Sequence, residues 1–261
     1  MFEVILRRIR ELSESTRDFQ FVRQDGQQLD YKPGQFYRFV FEDDEGEFER
    51  SYSLCNYEDL YGDTLDLVIS RVVGGRATRL LFNCSEGLTA KVTGPFGRLV
   101  LPEVDPARLI MVATSVGLAP YMPMLRELET REISKVVLLL GVRDRTEFIY
   151  GDLLRRYAGS HDFFDLRFCI SREAPVADDE FAGYVTEQLQ ALAPDPDSDH
   201  VLLCGNPAMI DDAWGYLKEL NFRPKKVVRE KYVFAREKKA ASSALTDDQK
   251  KLIAEKMKKY S

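Results

Sequence analysis

Over the first hundred residues, apolar positions alternate with polar ones in short runs. FEVILRRI, FQFV, QFYRFVF, SYSLC, LDLVISRV and LTAKVTG follow one another with turn signals between them, such as the KPG at Lys32 to Gly34. Period-two alternation bounded by Gly, Pro and Asp predicts antiparallel strands closing into a sandwich or barrel. One helix-sized segment interrupts the series after GGRAT, and the pattern places it over Arg79 to Ser85.

Near residue 104 the pattern changes. RLIMVAT, KVVLLLGV, LRFCIS and HVLLCG are nearly continuous apolar runs. Each is followed by an amphipathic stretch, near Tyr121–Glu129, Gly151–Tyr157, Thr186–Leu192 and Pro207–Leu220. Strands buried on both faces read this way, and helices between them imply a parallel sheet. A last strand is expected within KKVVREKYVF. The expected fold is β + α/β: an antiparallel β-barrel over 1–104, then a doubly wound parallel sheet over 105–234. The seam falls at Glu103 to Arg108. Residues 235–261 carry eight Lys or Arg against four Asp or Glu, a basic extension on an acidic body. Thr246 and Gln249 stand at capping-box spacing, and Leu252, Ile253, Met257 and Tyr260 share one rough helical face. A short amphipathic helix is predicted there.

Composition narrows the function. With 44% hydrophobic and 31% charged residues, the 261-residue chain is a globular protein rather than a disordered one. Its net charge of −6 disfavours a nucleic-acid binder. No apolar run is long enough to span a bilayer and MFEVILRRIRE lacks signal-peptide architecture, so a cytoplasmic protein is expected. The cysteines Cys55, Cys84, Cys169 and Cys204 are widely scattered. That spacing forms no iron–sulfur or other metal motif and suits reduced thiols.

Candidate chemistry gathers at strand ends. In an open α/β sheet, ligands bind outside the carboxyl ends of the strands, beside helix N-termini. Those ends read Ala113-Thr114-Ser115-Val116-Gly117, Gly141-Val142-Arg143-Asp144-Arg145, Ser171-Arg172-Glu173 and Cys204-Gly205-Asn206-Pro207. Three arginines and a serine at one rim suit a phosphorylated dinucleotide. In the first half, Glu49-Arg50-Ser51-Tyr52-Ser53-Leu54 reads as a strand, with Arg50, Tyr52 and Leu54 on one face and Ser51 and Ser53 on the other.

Taken in order, R50-S-Y-S, G74-G-R-A-T-R-L, T93-G-P-F-G, A113-T-S-V-G-L-A-P, S171-R-E and L203-C-G-N-P-A-M resemble the ferredoxin–NADP⁺ reductase family, most of all its bacterial ferredoxin/flavodoxin branch. The resemblance covers about residues 1–234. It implies an FAD-binding barrel joined to an NADP-binding α/β domain. It also implies hydride exchange between NADPH and FAD, and single-electron exchange between FAD and a separate ferredoxin or flavodoxin. We expect such a protein to be a monomer.

The resemblance also implies roles. Arg50 would pair with the FAD phosphates, with Ser51 beside it. Tyr52 would stack on the flavin, and Ser53 would aim its hydroxyl at the flavin N5. A strictly alternating strand separates Tyr52 from Ser53, so a bulge or a cofactor lying along the strand edge is needed. Val68 and Ile69 through Arg71 would follow the ring edge, and Gly75, Arg76, Ala77 and Thr78 would cradle the pyrophosphate. In that reading Thr78 also caps the short helix, and Thr114 meets the flavin. Tyr232, with Phe234 next, matches the aromatic that covers the flavin or its adenine. For NADP, Ser171 and Arg172 match the pair that recognises the 2′-phosphate, with Arg143 and Arg145 placed to assist. Tyr184 matches an adenine-stacking position, or is a buried tyrosine starting a helix. Ser115, Gly117, Gly205 and Asn206 line the nucleotide loops, and Cys204 stands beside the nicotinamide C4, so Tyr52, Ser53 and Cys204 are the catalytic candidates.

The chain departs from the family pattern at Ser115 and Val116, where a glycine and a threonine are usual. Two other readings follow from that departure and from the missing cluster motif. One is a flavin-bearing electron-transfer or regulatory protein with an impaired nicotinamide site. The other is an NADPH-dependent reductase serving a separate oxygenase.

Overall fold

The computed structural model describes residues 1–232. Phe234 and the helix expected within 235–261 lie outside the described residues.

Six strands form the first sheet: β1 (Phe2–Glu11), β2 (Thr16–Arg23), β3 (Phe36–Asp43), β4 (Gly46–Ser53), β5 (Thr64–Ser70) and β6 (Thr89–Phe96). Their order is β4-β3-β6-β1-β2-β5 and every pairing is antiparallel. The sheet curls into a half-barrel around Phe19, Phe21, Phe39, Phe41, Leu65 and Leu67. Its edge strands β4 and β5 approach at one end, where the Cys55 amide donates to the Asp66 carbonyl at 2.9 Å. The helix of this half, α1 (Arg76–Leu81), starts three residues earlier than the apolar pattern placed it. The Gly74-Gly75 turn ends at the helix itself, so Arg76-Ala77-Thr78 belongs to the first turn rather than to the approach.

The second sheet contains β7 (Arg108–Thr114), β8 (Lys135–Val142), β9 (Phe164–Ile170), β10 (Glu180–Ala182), β11 (Asp199–Gly205) and β12 (Val227–Lys231). Its order is β10-β9-β8-β7-β11-β12, parallel throughout. The three-residue edge strand β10 is too short to leave a periodic trace and was not expected. Helices α2 (Tyr121–Leu128), α3 (Gly151–Ser160), α4 (Val185–Ala191) and α5 (Pro207–Glu219) cover the two faces. Strand parity divides the core accordingly. Leu109, Met111, Leu138, Leu202 and Cys204 join α2 and α3 on one side, while Ile110, Val112, Leu139 and Leu203 join α4 and α5 on the other.

The half-barrel packs on the α2–α3 side. On β5, alternate residues Leu65, Leu67 and Ile69 fill the half-barrel, while Val68 faces outward and joins the core of the second sheet. On β2 both faces are covered: Phe19 and Phe21 point inward, and Asp18 on the outer face is only 2% exposed. The carboxylate of Asp18 receives Arg10 Nη2 at 2.6 Å and the Tyr150 hydroxyl at 3.1 Å. Tyr150 occupies a left-handed conformation (φ 56°) just before α3 and also touches Cys55 Sγ at 3.6 Å. A non-glycine residue at that φ carries some strain, so the contact fixes how α3 meets the half-barrel. Removing this hydroxyl by Tyr150→Phe should lower stability by ~0.5–1.5 kcal/mol, the net worth of one buried hydrogen bond. Urea denaturation reads it directly, and an unchanged midpoint would show that the contact adds nothing to the join.

Candidate functional site

Strand β4 is an edge of the first sheet and β12 an edge of the second. A cleft of about 600 Å³ opens between them, within the range of about 300–1,000 Å³ common for small-molecule sites. Arg50, Ser51, Tyr52 and Ser53 line it from β4, Val68, Ile69 and Ser70 from β5, and Glu230 and Tyr232 from β12 and the residue beyond. The β3–β4 ladder runs without a register shift. Tyr52 and Ser53 therefore share the cleft because it lies along the free edge and end of β4, and no bulge is needed.

Parity also explains the buried end of the cleft. Val228 and Tyr232 pack on the α2–α3 side of the sheet, which places Glu230 there as well. Cys204 and Glu230 are register partners on β11 and β12. From the half-barrel, Ser53 Oγ donates to Glu230 Oε1 at 3.0 Å, and the Tyr232 hydroxyl donates to Ser53 Oγ at 2.8 Å. Cys204 and Tyr232 both belong to the α2–α3 side of the core. Burial raises the pKa of Glu230, Cys204 and Tyr232 alike. Cys204 is thus a neutral thiol, and Glu230 holds its proton more tightly than an exposed glutamate. Sequence reasoning missed Glu230, which reads as a solvent-facing charge in VVREKY. Its signal was its place two residues before Tyr232 on the same strand face.

Other expected flavin contacts are placed as follows. Arg50 donates to the Glu49 carbonyl at 2.6 Å and lies 5.3 Å from the Phe48 ring, with no carboxylate partner among the described residues. Arg76 forms a two-pronged pair with Asp43, which holds that carboxyl at about 2. Gly75, not Thr78, is the N-cap of α1. The Thr78 hydroxyl instead donates back to the carbonyls of Val72 and Gly75 and closes the Gly-Gly turn. Gly75, Arg76, Ala77 and Thr78 all line the cleft, and the amides of a helix's first turn have no partner within the helix. Arg71, expected along the flavin edge, turns away and sits 4.8 Å from the Phe82 ring. Thr114 is likewise absent from the cleft lining; its Oγ1 accepts from the Asn206 amide at 2.9 Å.

That bond lies between β7 and β11, the neighbouring strands where the sheet order reverses direction. The backbone there is tightly packed. A Cβ at Gly117 would stand 2.6 Å from the Cys204 carbonyl oxygen, and one at Gly205 (φ 120°) would stand 2.4 Å from Thr114 Oγ1. Asn206 caps α5 by accepting from the Ala208 amide at 2.8 Å. Ser115 adopts φ 50°, so serine occupies the left-handed conformation that explains why glycine is usual there. Its hydroxyl reaches Ser70 on β5 at 3.5 Å. Val116 is buried and lines the cleft.

Farther along the same rim, the arginines expected to act together are separated by their partners. Arg143 pairs with Glu147, and Arg145 pairs with Glu173 and Glu180. Arg172 is exposed and has no side-chain partner among the described residues. Ser171 Oγ donates weakly to the Val142 carbonyl at 3.4 Å. Tyr184 is 65% exposed at the start of α4, which removes the reading of it as a buried core residue.

Comparison with known proteins agrees with this geometry. Residues 3–101 match the family described as the oxidoreductase FAD-binding domain, and residues 111–214 match the oxidoreductase NAD-binding domain. The chain is 30% identical over 217 residues to ferredoxin–NADP reductase B of Sorangium cellulosum, covering 80% of this chain and 88% of that one. The chain belongs to the ferredoxin–NADP reductase family. Its cofactors are FAD and a nicotinamide nucleotide, NAD(P)(H). The crystal structure of a ferredoxin NADP⁺ reductase from Neisseria gonorrhoeae with bound FAD and NADP superposes with a TM-score of 0.76 at 26% identity, over 88% of this chain and 97% of that one. The family is broad. The ferredoxin–NAD(P)⁺ reductase component of the naphthalene 1,2-dioxygenase system of Pseudomonas putida is 25% identical over 76% of this chain and 60% of its own length.

The cleft of this oxidoreductase fits FAD: an aromatic face at Tyr52, a guanidinium at Arg50 with donors to spare, and first-turn amides at α1. Among the described residues no helix is long and apolar enough to cross a membrane, and no group of three or more His, Cys, Asp or Glu could hold a metal ion. Glu230 makes a pH prediction. Because its pKa is raised in the folded protein, folding retains its proton, and stability falls as pH climbs from the ordinary value of 4.5 through the folded one. Glu230→Gln should therefore stabilise the protein at neutral pH, with the gain fading as pH drops towards 4.5. Denaturation midpoints at several pH values check this, and a gain that grew on acidification would contradict it.

Proposed function

We propose that the chain is an NADPH-dependent FAD oxidoreductase that exchanges electrons with a separate ferredoxin or flavodoxin in the cytoplasm. In this reading residues 1–104 hold FAD and residues 105–234 hold NADP(H). FAD supplies hydride acceptance and one-electron release. Tyr52 offers an aromatic face, Arg50 and the first-turn amides of α1 neutralise phosphate charge, and Val68 and Ile69 form an apolar wall. Ser53 Oγ is held between the Tyr232 hydroxyl and Glu230 Oε1, which fixes that hydroxyl at the cleft. The glycines at 117 and 205 let the loop after β7 pack directly on the end of β11, and in this reading Ser115 and Asn206 there face the nucleotide. Cys204 is fully buried and absent from the cleft lining, behind Glu230.

The observation that carries the choice of NADPH is Arg172. It is an exposed guanidinium next in the chain to a serine, with no side-chain partner among the described residues, at the rim where an NAD site usually sets an acid for the ribose. In this reading Tyr184, exposed at the start of α4, stacks on adenine. The separate carrier is supported by the relatives' names. A reductase serving an oxygenase is the second reading, favoured by the naphthalene dioxygenase component. Comparing which purified carrier proteins accept electrons separates the two.

Arg172→Ala should weaken NADPH binding by ~1.5–3 kcal/mol, roughly 10- to 150-fold, by removing a charged hydrogen bond. NADH should suffer far less. Equal losses for the two nucleotides would refute the 2′-phosphate assignment.

A further inference from the structure

The arginines at the nucleotide rim have unequal fates. Backbone bonds from the Ser171 amide to the Val142 carbonyl (3.1 Å) and from the Arg172 amide to the Arg143 carbonyl (2.9 Å) pin the near end of the 171–179 loop to the end of β8 and the residue after it. The far end is pinned by Glu180, whose side chain is 2% exposed at the start of β10. Its carboxylate accepts the Val176 amide at 2.8 Å, Arg155 Nη2 at 3.3 Å and Arg145 Nε at 3.1 Å. Arg145 then reaches from Glu180 to the loop. Its Nη1 donates to Glu173 Oε2 at 2.8 Å, its amide donates to the same oxygen at 3.2 Å, and its Nη2 donates to the Ala174 carbonyl at 2.5 Å.

Glu173 is the carboxylate next to Arg172 in the chain, and so the nearest competitor for its guanidinium. A flexible loop would let the two side chains pair and cancel their charges. In the structure Glu173 is engaged by Arg145, Glu147 is engaged by Arg143 at 2.5 Å, and Arg172 has no side-chain partner among the described residues. Arg145 cannot serve a phosphate as well, because its fork is spent on two carboxylates and a carbonyl.

We propose that Arg145 and Glu180 are positioning residues for nucleotide discrimination: they hold Glu173 away from Arg172 and so keep that guanidinium free for the 2′-phosphate. Neither touches the ligand. The idea rests on the Arg172 reading above and adds a cause for it. Sequestration of a competing carboxylate sets the preference, not the number of arginines at the rim.

The test is calorimetric binding of adenosine 2′,5′-bisphosphate and of ADP to the flavin-loaded full chain. Arg145→Ala should weaken the bisphosphate about ten-fold, the scale of one charged hydrogen bond, while ADP changes less than about two-fold. Adding Glu173→Ala to that variant should restore most of the loss, because the competitor is gone. A purely structural role predicts equal weakening of both probes and no rescue, and either result overturns the proposal. Since Arg145→Ala leaves the buried Glu180 with Arg155 alone and could impair folding, Arg145→Lys runs beside it. Lysine keeps a cation near Glu180 but cannot span to Glu173, so a several-fold selective loss is expected, and wild-type discrimination would overturn the proposal. Arg172→Ala in the same assay separates the two levels. If it leaves discrimination intact, the 2′-phosphate reading falls and the clamp with it. If it abolishes discrimination while the Arg145 variants do not, only the clamp falls.

Discussion

The functional cleft depends on one contact between the two halves of the molecule, the hydrogen-bonded relay from Tyr232 through Ser53 to Glu230. Ser53 ends an edge strand of the half-barrel, and Glu230 and Tyr232 lie at the far edge of the parallel sheet. Joining them folds the end of the described chain back onto its beginning. The relay is affordable because the surrounding interface is already apolar: Val68 and Cys55 belong to the same core as Met111, Leu202 and Cys204. Within that core, three polar side chains satisfy one another, and burial keeps the carboxyl inclined to hold its proton. A second polar contact, Tyr150 to Asp18, fixes the other side of the join. The two sheets are thereby set at one separation, which a reaction between two bound cofactors requires.

Electrostatics at the nucleotide rim follow a different logic. There the informative residue is the one without a partner. Exposed arginines at strand ends pair with nearby glutamates wherever geometry permits, as Arg143 and Arg145 do. Arg172 has no such partner among the described residues, and Glu173 beside it is paired with Arg145. Among the described residues the rim therefore presents one guanidinium without a carboxylate partner, Arg172, beside two that are paired.

Much of the architecture was legible in the sequence, for physical reasons that also explain the gaps. Parallel strands buried on both faces must be apolar throughout, so β7, β8, β9 and β11 stood out; β10, three residues long, could not. The half-barrel strands alternate, yet β2 carries a buried aspartate on its outer face, which alternation alone reads as solvent-exposed. The stretch R50-S-Y-S pointed to the cleft, and the edge position of β4 removes the conflict between Tyr52 and Ser53. Ser115 was legible as a departure from glycine, and its φ of 50° shows what that departure costs the backbone. Glu230 was not singled out, because a charged residue in a terminal strand looks solvated until the strand's partner is known. Nor could sequence separate Arg143 and Arg145 from Arg172, since their difference lies in partners brought in from other loops and strands.

The most direct test of the account is an anaerobic titration of the flavin-loaded protein with NADPH and, separately, with NADH, following the oxidised flavin absorption band. The account predicts bleaching by NADPH at far lower concentration than by NADH. A yellow protein that neither nucleotide bleaches would contradict it, and would mean that Ser115 and Val116 have cost the chain its nicotinamide site.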